Sequence, residues 1–88
     1  MADRLRLRVY TPERELVDRD VREVTAQGAW GQIGVLPDHA ALLTALEPGE
    51  LSYRTNGAVE RLQLGAGFAE VRDNVMTVLV ESGAARSA

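Results

Sequence analysis

Leu51-Ser-Tyr-Arg-Thr55 and Ala58-Val-Glu-Arg-Leu-Gln-Leu64 flank the dipeptide Asn56-Gly57. That dipeptide between two strand-like runs is the strongest short hairpin signal, because both central positions of a primed turn need positive φ. A second hairpin follows at once. Gly67-Phe-Ala-Glu-Val-Arg72 and Val75-Met-Thr-Val-Leu-Val80 flank Asp73-Asn74, and the latter run is apolar on both faces, as a central strand would be. Upstream, Arg4-Leu-Arg-Leu-Arg-Val-Tyr10 alternates with period two, placing Leu5, Leu7 and Val9 on one face and Arg4, Arg6 and Arg8 on the other. Pro12 punctuates that strand. Glu15-Leu-Val17 and Val21-Arg-Glu-Val-Thr-Ala-Gln27 read as further strands, with Gly28, Gly31 and Gly34 marking turns or close backbone approach. Many short strands with turn signals at close spacing predict an all-β sandwich of about ten short, mainly antiparallel strands.

Bulk properties narrow the function. The 88 residues make one domain that buries roughly 60–65% of its unfolded surface, enough for a thin two-layer core. We read residues 1–81 as the sandwich and 82–88 as a flexible C-terminal tail. With no cysteine there is neither a disulfide framework nor a thiolate metal site, and a reducing compartment fits best. A net charge of −3 argues against general nucleic-acid binding. No apolar run approaches the roughly 20 residues that cross a bilayer, and Met1-Ala-Asp-Arg-Leu-Arg-Leu-Arg8 has no signal-peptide core. Membrane association is therefore expected through a partner protein.

The segment Gly31-Gln-Ile-Gly-Val-Leu-Pro-Asp-His-Ala-Ala-Leu-Leu-Thr-Ala-Leu-Glu-Pro-Gly-Glu-Leu51 is richest in functional content. It offers one imidazole and one nearby carboxylate, which suits a shaped docking loop better than turnover. His39 beside Asp38, with Ser52 or Ser82 elsewhere, falls short of a triad, because neither serine sits in a nucleophile elbow. One histidine without cysteine leaves no metal set, and Gly65-Ala-Gly67 lacks the third glycine and helix of a phosphate cradle. That Gly-x-Gly reads instead as a bulge or tight bend. The arginine stripe reads as a solvated strand face. Trp30, the one tryptophan, fits either an interface anchor or a plug over one end of the core. Ala40-Ala-Leu-Leu-Thr-Ala-Leu46 has helix-forming composition.

Gly34 through Thr44 with Pro48-Gly49 resembles the signature of the epsilon subunit of rotary ATP synthases. Leu64-Gly-Ala-Gly-Phe-Ala-Glu-Val71 and Asn74-Val-Met-Thr-Val-Leu79 look like that family's closing hairpin, and Leu7, Val9 and Glu13 fall where its first strand and turn would be. The resemblance implies a flattened β-sandwich, with Ala40–Leu46 extended within it. It implies a non-catalytic rotor domain with no cofactor, docking the gamma subunit onto the membrane c-ring and coupling ion flow to ATP synthesis. Thr11, His39 and Thr44 then fall on the gamma-facing side and Gln32 on the c-ring loop, where many relatives carry glutamate. Asp38 stands where glycine is usual, tolerable because aspartate visits the left-handed region. The family's C-terminal helical hairpin has no counterpart in these 88 residues, so the resemblance implies neither nucleotide site nor inhibitory arm. The expected place is the cytoplasmic face of a bacterial inner membrane, held there by the complex. A docking face left bare would favour self-association of the isolated chain. The alternative from another class is a free-standing adaptor that binds a peptide by strand addition, and an enzyme is the weakest reading.

Overall fold

A computed structural model describes residues 2–85 as ten strands and no helix. They are β1 (Leu5–Tyr10), β2 (Glu15–Val21), β3 (Glu23–Gly28), β4 (Gly31–Val35), β5 (Leu42–Leu46), β6 (Gly49–Thr55), β7 (Ala58–Leu64), β8 (Gly67–Arg72), β9 (Val75–Val80) and β10 (Gly83–Ala85). Two layers result. One runs β4-β3-β6-β7-β10 and the other β5-β8-β9-β1-β2. β3 joins them: β4 occupies one of its edges, while β6 and then β5 share the other, the latter through the single pair Gly28–Leu46. On the far side, β2 packs back against β6 and β10. The expected β-sandwich is therefore what forms.

Period-two alternation places the core between the layers. Leu5, Leu7 and Val9 of β1, with Ala69, Val71, Met76, Val78 and Val80 of β8 and β9 beside them, face Val24 and Ala26 of β3 and Leu51 and Tyr53 of β6 within one buried apolar cluster. Burying each of the larger members contributes about 1.5–3 kcal/mol. No polar or charged residue is buried among the described residues.

Several local expectations change on inspection. The Asn56-Gly57 hairpin forms with Thr55 opposite Ala58, but only Gly57 has positive φ, at 81°, the pattern of a type II rather than a primed turn. The Asn56 side chain is engaged by Arg22, whose Nε donates to its Oδ1. At the second hairpin both turn residues, Asp73 and Asn74, are left-handed, at 52° and 62°. β9 is central as expected, yet its other neighbour is β1, in parallel register from Arg6–Val75 to Tyr10–Leu79. That long-range pairing has no local sequence signal. The helix-forming Ala40–Leu46 stretch supplies β5, because pairing with β8 and burial of Leu46 outweigh a propensity worth only tenths of a kcal/mol per residue.

The C-terminal boundary also moves. In place of a tail beginning at Ser82, Gly83–Ala85 pair with Leu62–Leu64 of β7. A Cβ on Gly83 would come within 2.7 Å of Leu64 and 2.8 Å of Leu16, so Gly83 itself is closely packed, while Ala84 and Ala85 are exposed. The remainder of that tail, residues 86–88, lies outside the described residues.

Candidate docking surfaces

The outer face of β5-β8-β9-β1 is where the alternation leaves apolar side chains uncovered. Register aligns Ala45, Phe68, Leu79 and Tyr10 in one row across the four strands. Phe68 is 60% exposed and Leu79 55%, while Leu43 on the neighbouring row is 72% exposed. Tyr10, Thr11, Pro12, Leu79 and Val80 form a shallow groove of about 340 Å³ at one end of that row. Three large apolar side chains on one sheet face form the kind of patch that marks an interaction site. The next row, Leu43, Glu70, Thr77 and Arg8, gives the face a polar border.

The second exposed feature is the β3–β4 hairpin. Its tip is Ala29-Trp30, and Trp30 is 98% exposed, which rules out the core-plug reading. Gln32 is exposed on β4 opposite Gln27. The tip runs beside β5, with the Ala29 amide donating to the Ala45 carbonyl at 3.1 Å.

The residues singled out by the resemblance are not clustered. Thr11 borders the apolar groove, but its hydroxyl is committed to the β1–β2 turn: it accepts from the amides of Glu13 and Arg14, both at 3.2 Å. Thr44 is half-buried on the opposite side of β5 from Leu43 and Ala45, and its hydroxyl donates to the Ala45 carbonyl at 3.1 Å. His39 lies at the other end of the sheet, since its neighbour Asp38 binds Asn74. A strand rise of about 3.4 Å per residue puts the two ends of β9 about 17 Å apart. The ring of His39 contacts the Ala40 carbonyl through Nδ1 at 2.7 Å, while a carboxylate oxygen of Asp38 accepts from the Ala2 amide at 2.7 Å. Histidine and aspartate are thus engaged separately, which leaves a triad without its orienting carboxylate. Among the described residues, no group of three or more His, Cys, Asp or Glu gathers where a metal could bind.

Sequence reasoning missed Phe68 and Leu79. Their signal was one outward apolar residue on each of two paired strands; in β9 we read it as a sign of a buried central strand, and in β8 we passed over it. The arginine stripe is also more structured than a solvated face. Arg6 Nε lies 2.7 Å from Asp18 and its Nη1 3.3 Å from Asp20, with Arg8 Nε 3.5 Å from Asp18, so the outer edge of β1–β2 is an ion-pair ladder. The hydrogen bond from Arg6 holds the Asp18 carboxyl below its usual range.

Comparison with known proteins agrees with this geometry. Residues 4–86 match the family model described as ATP synthase, Delta/Epsilon chain, beta-sandwich domain. The ATP synthase epsilon chain of Geotalea daltonii is 45% identical over 82 residues, covering 93% of this chain and 59% of that relative. That of Carboxydothermus hydrogenoformans is 44% identical, over 93% and 61% respectively. The chain thus spans about three fifths of the length of these relatives. Among solved structures, a chain of the Euglena gracilis mitochondrial ATP synthase, OSCP/F1/c-ring, superposes with a TM-score of 0.90 at 23% identity, over 97% of this chain and 55% of that one. A chain of the Tetrahymena thermophila mitochondrial ATP synthase central stalk and c-ring gives 0.79 at 22% identity, over 90% and 64%. These two likenesses speak for the fold, and the sequence matches carry the family: this chain belongs to the β-sandwich domains of ATP synthase delta/epsilon chains.

Proposed function

We propose that this domain is a non-catalytic rotor element of a rotary ATP synthase, seating the gamma subunit on one face and the membrane c-ring at the β3–β4 hairpin. The observation that carries the reading is the uncovered apolar row of Phe68 and Leu79 with Leu43 beside it. A stable protein interface needs such a desolvated centre with a polar rim, and the row of Glu70, Thr77 and Arg8 supplies part of that rim. Family membership and the central-stalk assemblies in which the structural neighbours were solved support the same assignment.

In this reading gamma covers the β5-β8-β9-β1 face, with Thr11 at one end of the contact and His39 at the other. Thr44 acts beneath that face by holding β5, and Trp30 and Gln32 meet the polar loops of the c-ring. Gln32 can hydrogen-bond there but cannot form an ion pair. Torque transfer asks for stiffness, which ten hydrogen-bonded strands provide. The domain would sit at the cytoplasmic face of a bacterial inner membrane through its partners. Calorimetric titration of the chain into purified gamma subunit from the same source tests the first contact. Saturable one-to-one binding is expected; no binding at about micromolar concentration, with both proteins folded, overturns it.

A second reading rests on β4, which pairs only with β3 among the described residues and leaves an edge for peptide strand addition. It predicts amide shifts confined to Gly31–Val35, whereas gamma docking predicts them on β5, β8, β9 and β1.

A further inference from the structure

At the corner where the chain passes from β2 to β3, the two layers gape. The opening is a cleft of about 200 Å³ lined by Arg4, Arg19, Asp20, Arg22, Thr55 and Asn56, with Val21 at its base. It lies at the opposite edge of its layer from β5, with β1 and β2 on one wall and the β6–β7 turn on the other.

Its charge is unbalanced. Three arginines face one aspartate, and the Asp20 carboxylate is already held by Arg6 at 3.3 Å. None of Arg4, Arg19 and Arg22 has an acidic partner within 4.0 Å among the described residues, although acids outnumber basic residues thirteen to ten in the chain. Arg19 is opposite Leu7 in the β1–β2 register, an inward position, and its guanidinium lies over the Tyr53 ring at 5.8 Å from the centroid. Stacking of that kind fixes the fork while leaving its N–H groups available at the edges. Arg22 is fixed as well: its amide donates to the Arg54 carbonyl at 2.7 Å and its Nε to Asn56 Oδ1. The Nη groups of Arg22 and the amide hydrogens of Asn56 remain as donors.

Inward charge on an edge strand also discourages edge-to-edge pairing, which accounts for Arg19 alone. It does not account for Arg4 and Arg22 converging on the same opening from outside that strand. Gathered cations with their acids engaged elsewhere make a donor-rich cleft, and planar guanidinium forks suit the paired oxygens of a phosphate group.

We propose that this cleft binds a phosphate-type oxyanion, supplied either as free phosphate or pyrophosphate or as a phospholipid headgroup. The site is distinct from the docking surfaces and its test does not depend on them. The experiment follows the arginine Nε–H resonances of the whole chain by NMR. One arm titrates inorganic phosphate and pyrophosphate against chloride at matched ionic strength, and the other adds vesicles containing phosphatidylglycerol. Saturable shifts at Arg4, Arg19 and Arg22 are expected in at least one arm, and that arm identifies the source. Arg22→Gln and Arg4→Gln should each weaken the response by about tenfold; Arg4 precedes β1, so its replacement leaves the strands intact. Absence of saturation in both arms, or shifts at Arg14, Arg61 and Arg72 as large as those in the cleft, overturns the proposal. So does a response unaltered by both substitutions.

Discussion

Asp38 and Asn74 share the same left-handed φ of 62° and are bonded to each other, the Asp38 amide donating to Asn74 Oδ1 at 2.8 Å. The Asn74 side-chain amide also donates to the Arg4 carbonyl at 2.7 Å, and its own carbonyl accepts from the Arg6 amide at 3.1 Å. One turn residue thereby ties the start of β1, the β4–β5 loop and the β8–β9 hairpin together. Asn74→Gly keeps the backbone conformation and removes both side-chain bonds. Each such bond is worth about 0.5–1.5 kcal/mol net, so a loss of about 1–3 kcal/mol is expected. Asn74→Ala should cost about 1 kcal/mol more, because alanine pays for left-handed φ. Urea unfolding of the three proteins reads both steps, and a glycine variant as stable as the parent would show that water replaces the bonds.

Features encoded by near neighbours were readable beforehand. The two hairpins and the inward Leu5, Leu7 and Val9 each follow from residues within a turn of one another, whereas the left-handed Asp38 was expected only from the glycine usual at its place in the family. The parallel β1–β9 pairing was hidden, because residues some seventy positions apart carry no local pattern. The same distance effect hid the Arg4–Arg19–Arg22 cleft: the alternation placed Arg4 with Arg6 and Arg8, whereas Arg6 and Arg8 meet Asp18 and Arg4 turns to the corner. The side of β5 that Thr44 takes was hidden for a smaller reason. β5 had no visible alternation, so nothing showed which face Leu43 and Thr44 would each take.

Gly67 is required by a close approach of backbone. A Cβ there would stand 2.0 Å from the Leu79 carbonyl oxygen and 2.7 Å from the Val80 Cα, where β8 begins against the end of β9. The crossing chains are further held together by Gly65 donating to Ser82 at 2.9 Å and Glu81 to Ala66 at 3.0 Å. Gly67→Ala must push β8 from β9 and is expected to cost about 1–3 kcal/mol. Gly34→Ala is the control, since a Cβ there meets nothing within 4 Å. Thermal melting of the two variants should separate them clearly; equal midpoints would mean that the β8–β9 junction relaxes without strain.

Acid stability should report the ion-pair ladder. Asp18 is harder to protonate in the folded chain, chiefly through the Arg6 hydrogen bond, than at its ordinary value of 3.8. Its contribution is therefore complete above that value and lost as pH falls through the lower, folded-state pKa. Asp18→Asn removes the titration. The urea midpoint of the parent should exceed that of the variant at neutral pH, and the difference should shrink only in the acid range below 3.8. Both partners touch solvent, so the gap will be small and will narrow in high salt. A gap that closes near neutral pH would assign the effect to another group.

Phe68 and Leu79 offer the sharpest separation of folding from docking. They face each other across β8 and β9 with their side chains outward, while Ala69 and Val78 beside them are buried. Serine at Phe68 and at Leu79 should change stability by no more than about 1 kcal/mol, the range for outward strand positions. If the apolar row is the centre of a gamma interface, truncation there removes hot-spot contacts worth about 2 kcal/mol or more each, and affinity should fall at least about thirtyfold. Trp30→Ser, at the hairpin tip that borders Ala45 at the β5 end of the row, should lower gamma affinity no more than a few-fold and weaken capture by the c-ring. Calorimetry against gamma and co-sedimentation with c-ring in bilayers read the two arms separately. Loss of gamma binding in the Trp30 variant, with full binding in the Phe68 and Leu79 variants, would exchange the two surfaces and overturn the arrangement proposed for the rotor.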